Sequence, residues 1–156
     1  MIMDIIRRNT DYALRAMINL AGNYGKKLVS SKSISLQEKI PYQLTCKLMQ
    51  KLHKAKFVTS TMGPKGGFEL SRKPEKITIL EIIEAVQEPL SLNKCILKNF
   101  KCPKQKICTI KPKLIELQSY IGNYLNDLTL ADMIERKIQE EKSRDKNERQ
   151  KDGKGK

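Results

Sequence analysis

The sequence predicts a mainly α fold with a small β-hairpin and a long C-terminal helix. Three observations carry that expectation. Apolar residues recur at helical spacing in several separate stretches. Two short extended runs, FVTS and FEL, flank TMGPKGG, a connector holding one Pro and three Gly. Further on, Ile110, Leu114, Leu117, Ile121, Tyr124 and Leu128 alternate four and three apart, a heptad seam long enough for a partner helix.

Ala13, Met17, Leu20 and Ala21 place a first helix from Asn9 to about Gly22, with Asn9 or Thr10 as its N-cap and Gly22 and Gly25 at its end. A short helix follows from Lys32 to Glu38. Ile40-Pro41 then breaks the chain, because Pro disfavours a helical residue before it and suits a first helical position. The next helix, Tyr42 to about Lys56, has an apolar face of Leu44, Leu48, Leu52 and Ala55. Gln43, Lys47, Gln50 and Lys54 form its polar, basic face. The hairpin comes next. Helix, turn, helix and hairpin in that order describe a winged helix-turn-helix, whose second helix fits the major groove of DNA.

Thr78-Ile-Leu-Glu81 is a capping-box pattern opening a helix through about Val86, and Glu88-Pro89 stops it. The segment CILKNFKCPKQKIC, residues 95–108, reads as a loop because of its Pro, Lys and Asn content. The heptad helix follows, then Thr129 caps a last helix, LADMIERKIQEE. From Ser143 onward, mixed charge, Gly and the lack of apolar residues predict a disordered tail. The expected organisation is a DNA-binding domain over 1–76, a cysteine loop with dimerisation helices over 77–142, and a charged tail over 143–156. The seam fits either a second copy or the helix's own domain. A homodimer is preferred, since helix-turn-helix proteins commonly read two half-sites as a two-fold pair.

The 156 residues carry a formal net charge of +14. Thirteen cations against four anions lie in residues 1–72, a net +9. An excess of this kind concerns partners rather than fold, and double-stranded operator DNA is the polyanion expected here. Gln43 and Lys47 are candidates for base edges, and Gln50 shares their face. Lys51 and Lys54 are candidates for phosphates. The first nine residues, MIMDIIRRN, are too short and too soon charged for a signal peptide, and no apolar run approaches a membrane span. The expected compartment is therefore the cytoplasm, with no membrane partner. Catalysis finds no footing. There is no Gly-rich phosphate loop, and His53, the sole histidine, excludes most His-based chemistry. His53 itself is read as a surface or DNA-backbone residue, and Cys46 as a small side chain without a role.

Cys95, Cys102 and Cys108 are separated by six and five residues. Clustered cysteines in a reducing compartment point to metal or redox chemistry. Zinc sites commonly use tight C-x₂₋₄-C pairs, and none is present; wider spacing in a loop suits a larger inorganic cluster. Lys94, Lys98, Lys101, Lys104, Lys106 and Lys111 surround the thiols and would offset thiolate charge. Spacing alone leaves structural thiols open as well.

The blocks TDYALRAMINLA, LMQKLHKAKFV, GPKGGFEL, ITILEIIEAVQEPLSL and DLTLADMIE, with three cysteines between the last two, resemble the Rrf-two (Rrf2) family of winged-helix regulators, which contains the IscR and NsrR types. The similarity spans nearly everything except the tail. It implies an iron–sulfur cluster, 2Fe–2S or 4Fe–4S, bound by Cys95, Cys102 and Cys108 and coupled to DNA affinity. The IscR type takes a His soon after the third cysteine, but Thr109, Ile110 and Lys111 stand here. The NsrR type, a nitric-oxide-sensing repressor, uses an acidic residue of the first helix given by the other subunit. The matching position is Asp11, which a favourable meeting with the helix dipole would also explain. Family wings place an Arg before Gly-Pro to enter the minor groove; this chain has Met62 there, with Lys65 as a partial substitute. Two rivals stay open: a cluster-free thiol- or zinc-dependent regulator of the same fold, and an iron–sulfur electron carrier.

Overall fold

The computed structural model describes residues 5–152 apart from 88, 98 and 99, with side chains described through 144. Helix α1 spans Arg8–Gly22 and lays Ala13, Ala16, Met17, Leu20 and Ala21 into the core. The expected Asn9 or Thr10 cap is replaced by a tertiary one. Arg7 occupies the cap position without a side-chain bond, and its N–H donates instead to Gln87 Oε1 at 3.0 Å. Thr10 lies inside the helix, 1% exposed, and its hydroxyl donates to the same oxygen at 2.7 Å.

Helix α2 spans Ser31–Glu38; the Ser30 hydroxyl caps it by accepting from the Ser33 N–H at 3.1 Å. Lys39 ends it in the left-handed region at φ 54. Pro41 then precedes α3, Tyr42–Lys54. The core side of α3 is Thr45, Leu48, Met49 and Leu52. It is therefore turned from the expected apolar face: Leu44 is half-buried and Ala55 exposed. Thr45 is buried because its hydroxyl donates to the Pro41 carbonyl at 3.2 Å, so no polar group is orphaned.

Strands β1, Val58–Thr61, and β2, Gly67–Leu70, pair antiparallel from Val58↔Leu70 to Thr61↔Gly67. A third segment joins them. The Val29 N–H donates to Phe68 O at 3.0 Å, and the Phe68 N–H to Val29 O at 2.9 Å. Gly67 is required at this crossing, since a Cβ there would stand 2.8 Å from the Val29 backbone. Arg72 braces the wing's base, its guanidinium 5.2 Å from the Phe57 ring centre and 3.2 Å from Glu81 Oε1.

Helix α4, Ile79–Val86, opens with the expected capping box. The Glu81 N–H donates to Thr78 Oγ1 at 3.2 Å, and the Thr78 N–H to Glu81 Oε2 at 2.9 Å. Helices α5, Ile110–Asp127, and α6, Leu130–Asp152, complete the chain. Thr129 opens α6 with a second box, in which Asp132 Oδ2 accepts from the Thr129 N–H at 2.8 Å and the Asp132 N–H donates to Thr129 Oγ1 at 3.3 Å. The starts of α4 and α6 are sewn together: the Ile79 N–H donates to Leu128 O at 2.9 Å and the Leu130 N–H to Ile77 O at 3.0 Å. One aliphatic core results, in which Ile77, Ile82, Ile83 and Leu130 meet Met17 and Leu20 of α1 and Met49 and Leu52 of α3.

The disordered tail expected from Ser143 is corrected over residues 143–152, which continue α6. Lys, Arg, Glu and Gln lose little rotamer freedom in a helix, and the first glycine after Gly122 is Gly153. Residues 153–156 lie outside those described.

The Glu81 carboxyl lies below its ordinary value: burial pushes it up, but the Thr78 bonds and the Arg72 guanidinium outweigh that push. A depressed folded pKa stabilises the fold above the ordinary Glu range and ceases to as pH falls through the folded value. Thr78→Ala is expected to lower stability by about 1 kcal/mol at neutral pH. Urea midpoints should show that difference shrinking under acid.

Candidate nucleic-acid interface and cysteine segment

Burying Thr45, Leu48, Met49 and Leu52 turns the opposite side of α3 outward. Gln43, Lys47, Gln50 and Lys54 are all exposed along that one face. Lys51 behaves differently. Its ammonium donates to the Val86 carbonyl at 2.6 Å, at the C-terminal end of α4. A cation there also meets the negative end of the helix dipole. Of the two phosphate candidates, Lys51 thus has an intramolecular partner, whereas Lys54 faces solvent.

Sequence reasoning missed Tyr42, the first residue of α3 and 56% exposed. Cys46, one turn on and half-buried, lifts the Tyr42 hydroxyl above its usual range, first by hydrogen bonding and then by charge. The signal available was position: the residue after Pro41 opens the helix, where backbone N–H groups point outward. His53 is exposed.

The wing follows α3 in the chain and packs against it through β1. Its tip carries exposed Lys65 and Met62, the latter 93% exposed, beside Gly63 at φ 110. Thr59, Ser60 and Thr61 of β1 are exposed as well.

Cys95 sits in a single 3₁₀ turn, Lys94–Ile96, and its N–H donates to Asn93 Oδ1 at 3.3 Å. Cys108 lies just before α5, where its Sγ accepts from the Lys111 N–H at 3.3 Å. Cys102 stands between them. All three are half-buried free thiols, and Lys94, Lys101, Lys104 and Lys106 around them are exposed. Their chemistry suits a thiophilic metal cluster. The segment does not gather them, however: among the described residues no three of His, Cys, Asp and Glu lie close enough to hold a metal ion. Asp11 lies on the first turn of α1, half-exposed, with its carboxylate 2.8 Å from Arg15 Nη2.

The heptad seam divides in two. Ile121 and Leu128 pack on the chain's own core together with Leu125, and Leu114 is half-buried. Ile110, Leu117 and Tyr124 remain exposed at 65%, 49% and 53%, and Tyr120 joins them at 70%. Among the described residues no helix is long and apolar enough to cross a membrane.

The family profile described as Rrf2, iron-dependent transcriptional regulator, matches residues 6–136. The chain belongs to the Rrf2 family. It is thus a DNA-binding transcriptional regulator and not an enzyme. Protein rrf2 of Nitratidesulfovibrio vulgaris is 30% identical over 123 residues, covering 79% of this chain and 82% of that protein. The HTH-type transcriptional regulator NsrR of Bacillus licheniformis is 33% identical over 127 residues, covering 80% and 88%. Among solved structures, CymR, the global cysteine regulator of B. subtilis, superposes with a TM-score of 0.72 at 26% identity, covering 86% of this chain and 98% of that one. IscR of T. potens gives 0.66 at 27%, covering 84% and 86%. These matches agree with the mainly helical, hairpin-bearing fold expected from the sequence.

Proposed function

We propose that this Rrf2 regulator is a cytoplasmic homodimeric repressor whose operator affinity is set by an iron–sulfur cluster. The observation that carries the reading is the placement of three free cysteines in one lysine-rich segment between the DNA-reading half and the apolar face of α5. Gln43 and Lys47 face the major groove and read base edges beside Gln50. Lys54 meets phosphates, and Lys65 on the wing approaches the minor groove. The exposed row Ile110, Leu117, Tyr120 and Tyr124 meets the same row of a second copy.

Cys95, Cys102 and Cys108 would hold the cluster, with Asp11 of the partner subunit as its fourth ligand. When bound, the cluster supplies a tie between subunits that nitric oxide, oxidation or failing cluster supply breaks. To ligate, Asp11 leaves Arg15, an exposed ion pair whose loss costs little. A coupling of about 1–3 kcal/mol corresponds to roughly 5–150-fold in DNA affinity.

A second reading has its own support. The open arrangement of the thiols and the likeness to a cysteine regulator fit a cluster-free, thiol- or zinc-dependent regulator of the same fold. The electron-carrier alternative has no counterpart in a family of transcriptional regulators.

Anaerobic purification separates the two. Brown protein with iron and sulfide, whose operator binding changes on nitric oxide or oxidation, supports the cluster; colourless protein with one zinc per chain overturns it. Asp11→Ala is expected to alter the cluster's spectrum or lifetime while leaving the cluster-free dimer intact, as read by absorption and sedimentation. Lys54→Ala should reduce the magnitude of the salt slope of operator binding by about one without altering sequence preference. Leu117→Lys, which places charge in the exposed apolar row, should shift the sedimentation equilibrium toward monomer.

A further inference from the structure

Three parts of the molecule converge on the last turn of α4. From the DNA-reading side, Lys51 donates to the Val86 carbonyl at 2.6 Å, and Lys51 lies one turn from both Lys47 and Lys54 on the same helix. From α1, the Arg7 N–H and the Thr10 hydroxyl donate to Gln87 Oε1 at 3.0 and 2.7 Å. Gln87 Nε2 in turn donates to the Ile5 carbonyl at 3.0 Å. The third part is the cysteine segment, whose first thiol lies eight residues beyond Gln87. Its approach is pinned to α5, where the Leu92 N–H donates to Gln118 Oε1 at 3.1 Å.

The chemistry of this junction is selective. Thr10 is 1% exposed, so its hydroxyl depends on Gln87 for a partner, and a buried donor left unmade is destabilising. Asp11 is the next residue on α1. Gln87 therefore stands between Asp11 and the first cysteine along the bonded structure, while the neighbouring carbonyl holds the recognition helix. Gln87 is itself extended, at φ −119 and ψ 167, and marks the point where the chain leaves α4 toward the thiols. A pull on either the cysteine segment or α1 bears on the Val86–Gln87 peptide, and from there on Lys51.

We propose that Lys51 and Gln87 are positioning residues that carry the state of the cysteine segment to the DNA-reading face of α3. The proposal rests on the reading of the chain as a regulator controlled through those cysteines, and it names the route of that control. Lys51 is thereby assigned to coupling and not to phosphate binding.

The test compares operator affinity of the full-length protein with and without its cluster, for wild type, Lys51→Met and Gln87→Leu, each over a range of salt. In Lys51→Met the affinity ratio between the two states should fall at least about threefold while the salt slope stays at the wild-type value. A ratio left at the wild-type value overturns the proposal. If the slope also drops by about one, Lys51 is a phosphate ligand instead. Gln87→Leu should likewise shrink the ratio. In the cluster-free protein it should also speed amide hydrogen exchange at Arg7 and its neighbours; unchanged exchange overturns the Gln87 link. A purely structural role would lower the melting temperature of both variants and leave the ratio alone. A wild-type ratio of one defeats the underlying regulatory reading, and a wild-type ratio preserved in both variants defeats this inference alone.

Discussion

Two backbone hydrogen bonds close the second half of this regulator on itself: Ile79 N–H to Leu128 O and Leu130 N–H to Ile77 O. They bring the start of α4 against the start of α6, although some fifty residues of chain separate those points. The chain that leaves the core after α4, the cysteine segment and α5 included, is an excursion whose two ends are fixed. Each anchoring end carries its own capping box, Thr78 with Glu81 and Thr129 with Asp132, so neither helix start depends on the excursion. The half-buried thiols stand outside the core cluster, so the packing of the core does not depend on them.

Much of the fold was legible because its determinants are local. The capping box at Thr78 needs only residues three apart, and the break at Ile40-Pro41 is a steric property of the dipeptide. The hairpin announced itself by its glycines. What failed was non-local or rotational. The true cap of α1 comes from Gln87, eighty positions away. The apolar face of α3 was misjudged because Thr45 counts as polar until its hydroxyl finds the Pro41 carbonyl. The tail was judged by its lack of apolar residues, although straight-chain charged residues propagate an existing helix well.

The site was legible as chemistry and less so as geometry. Residue types alone mark Cys95, Cys102 and Cys108 as a set and Gln43, Lys47, Gln50 and Lys54 as a face. Nothing in the order of residues says that Lys51 reaches the end of α4, because that depends on how two helices pack. The heptad seam likewise mixes residues that close this chain's own core with residues left outside it. Ile121 and Ile110 obey one periodicity and meet different neighbours.

The bridge between Val29 and Phe68 has a further consequence. Val29 directly precedes the Ser30 cap of α2, so the wing is bonded to the root of the helix-turn-helix, and Gly67 permits the close approach. The wing is consequently fastened at two points, through the chain to the end of α3 and through these bonds to the start of α2. A hairpin held at both flank and root moves with the helices it touches and not as a separate flap.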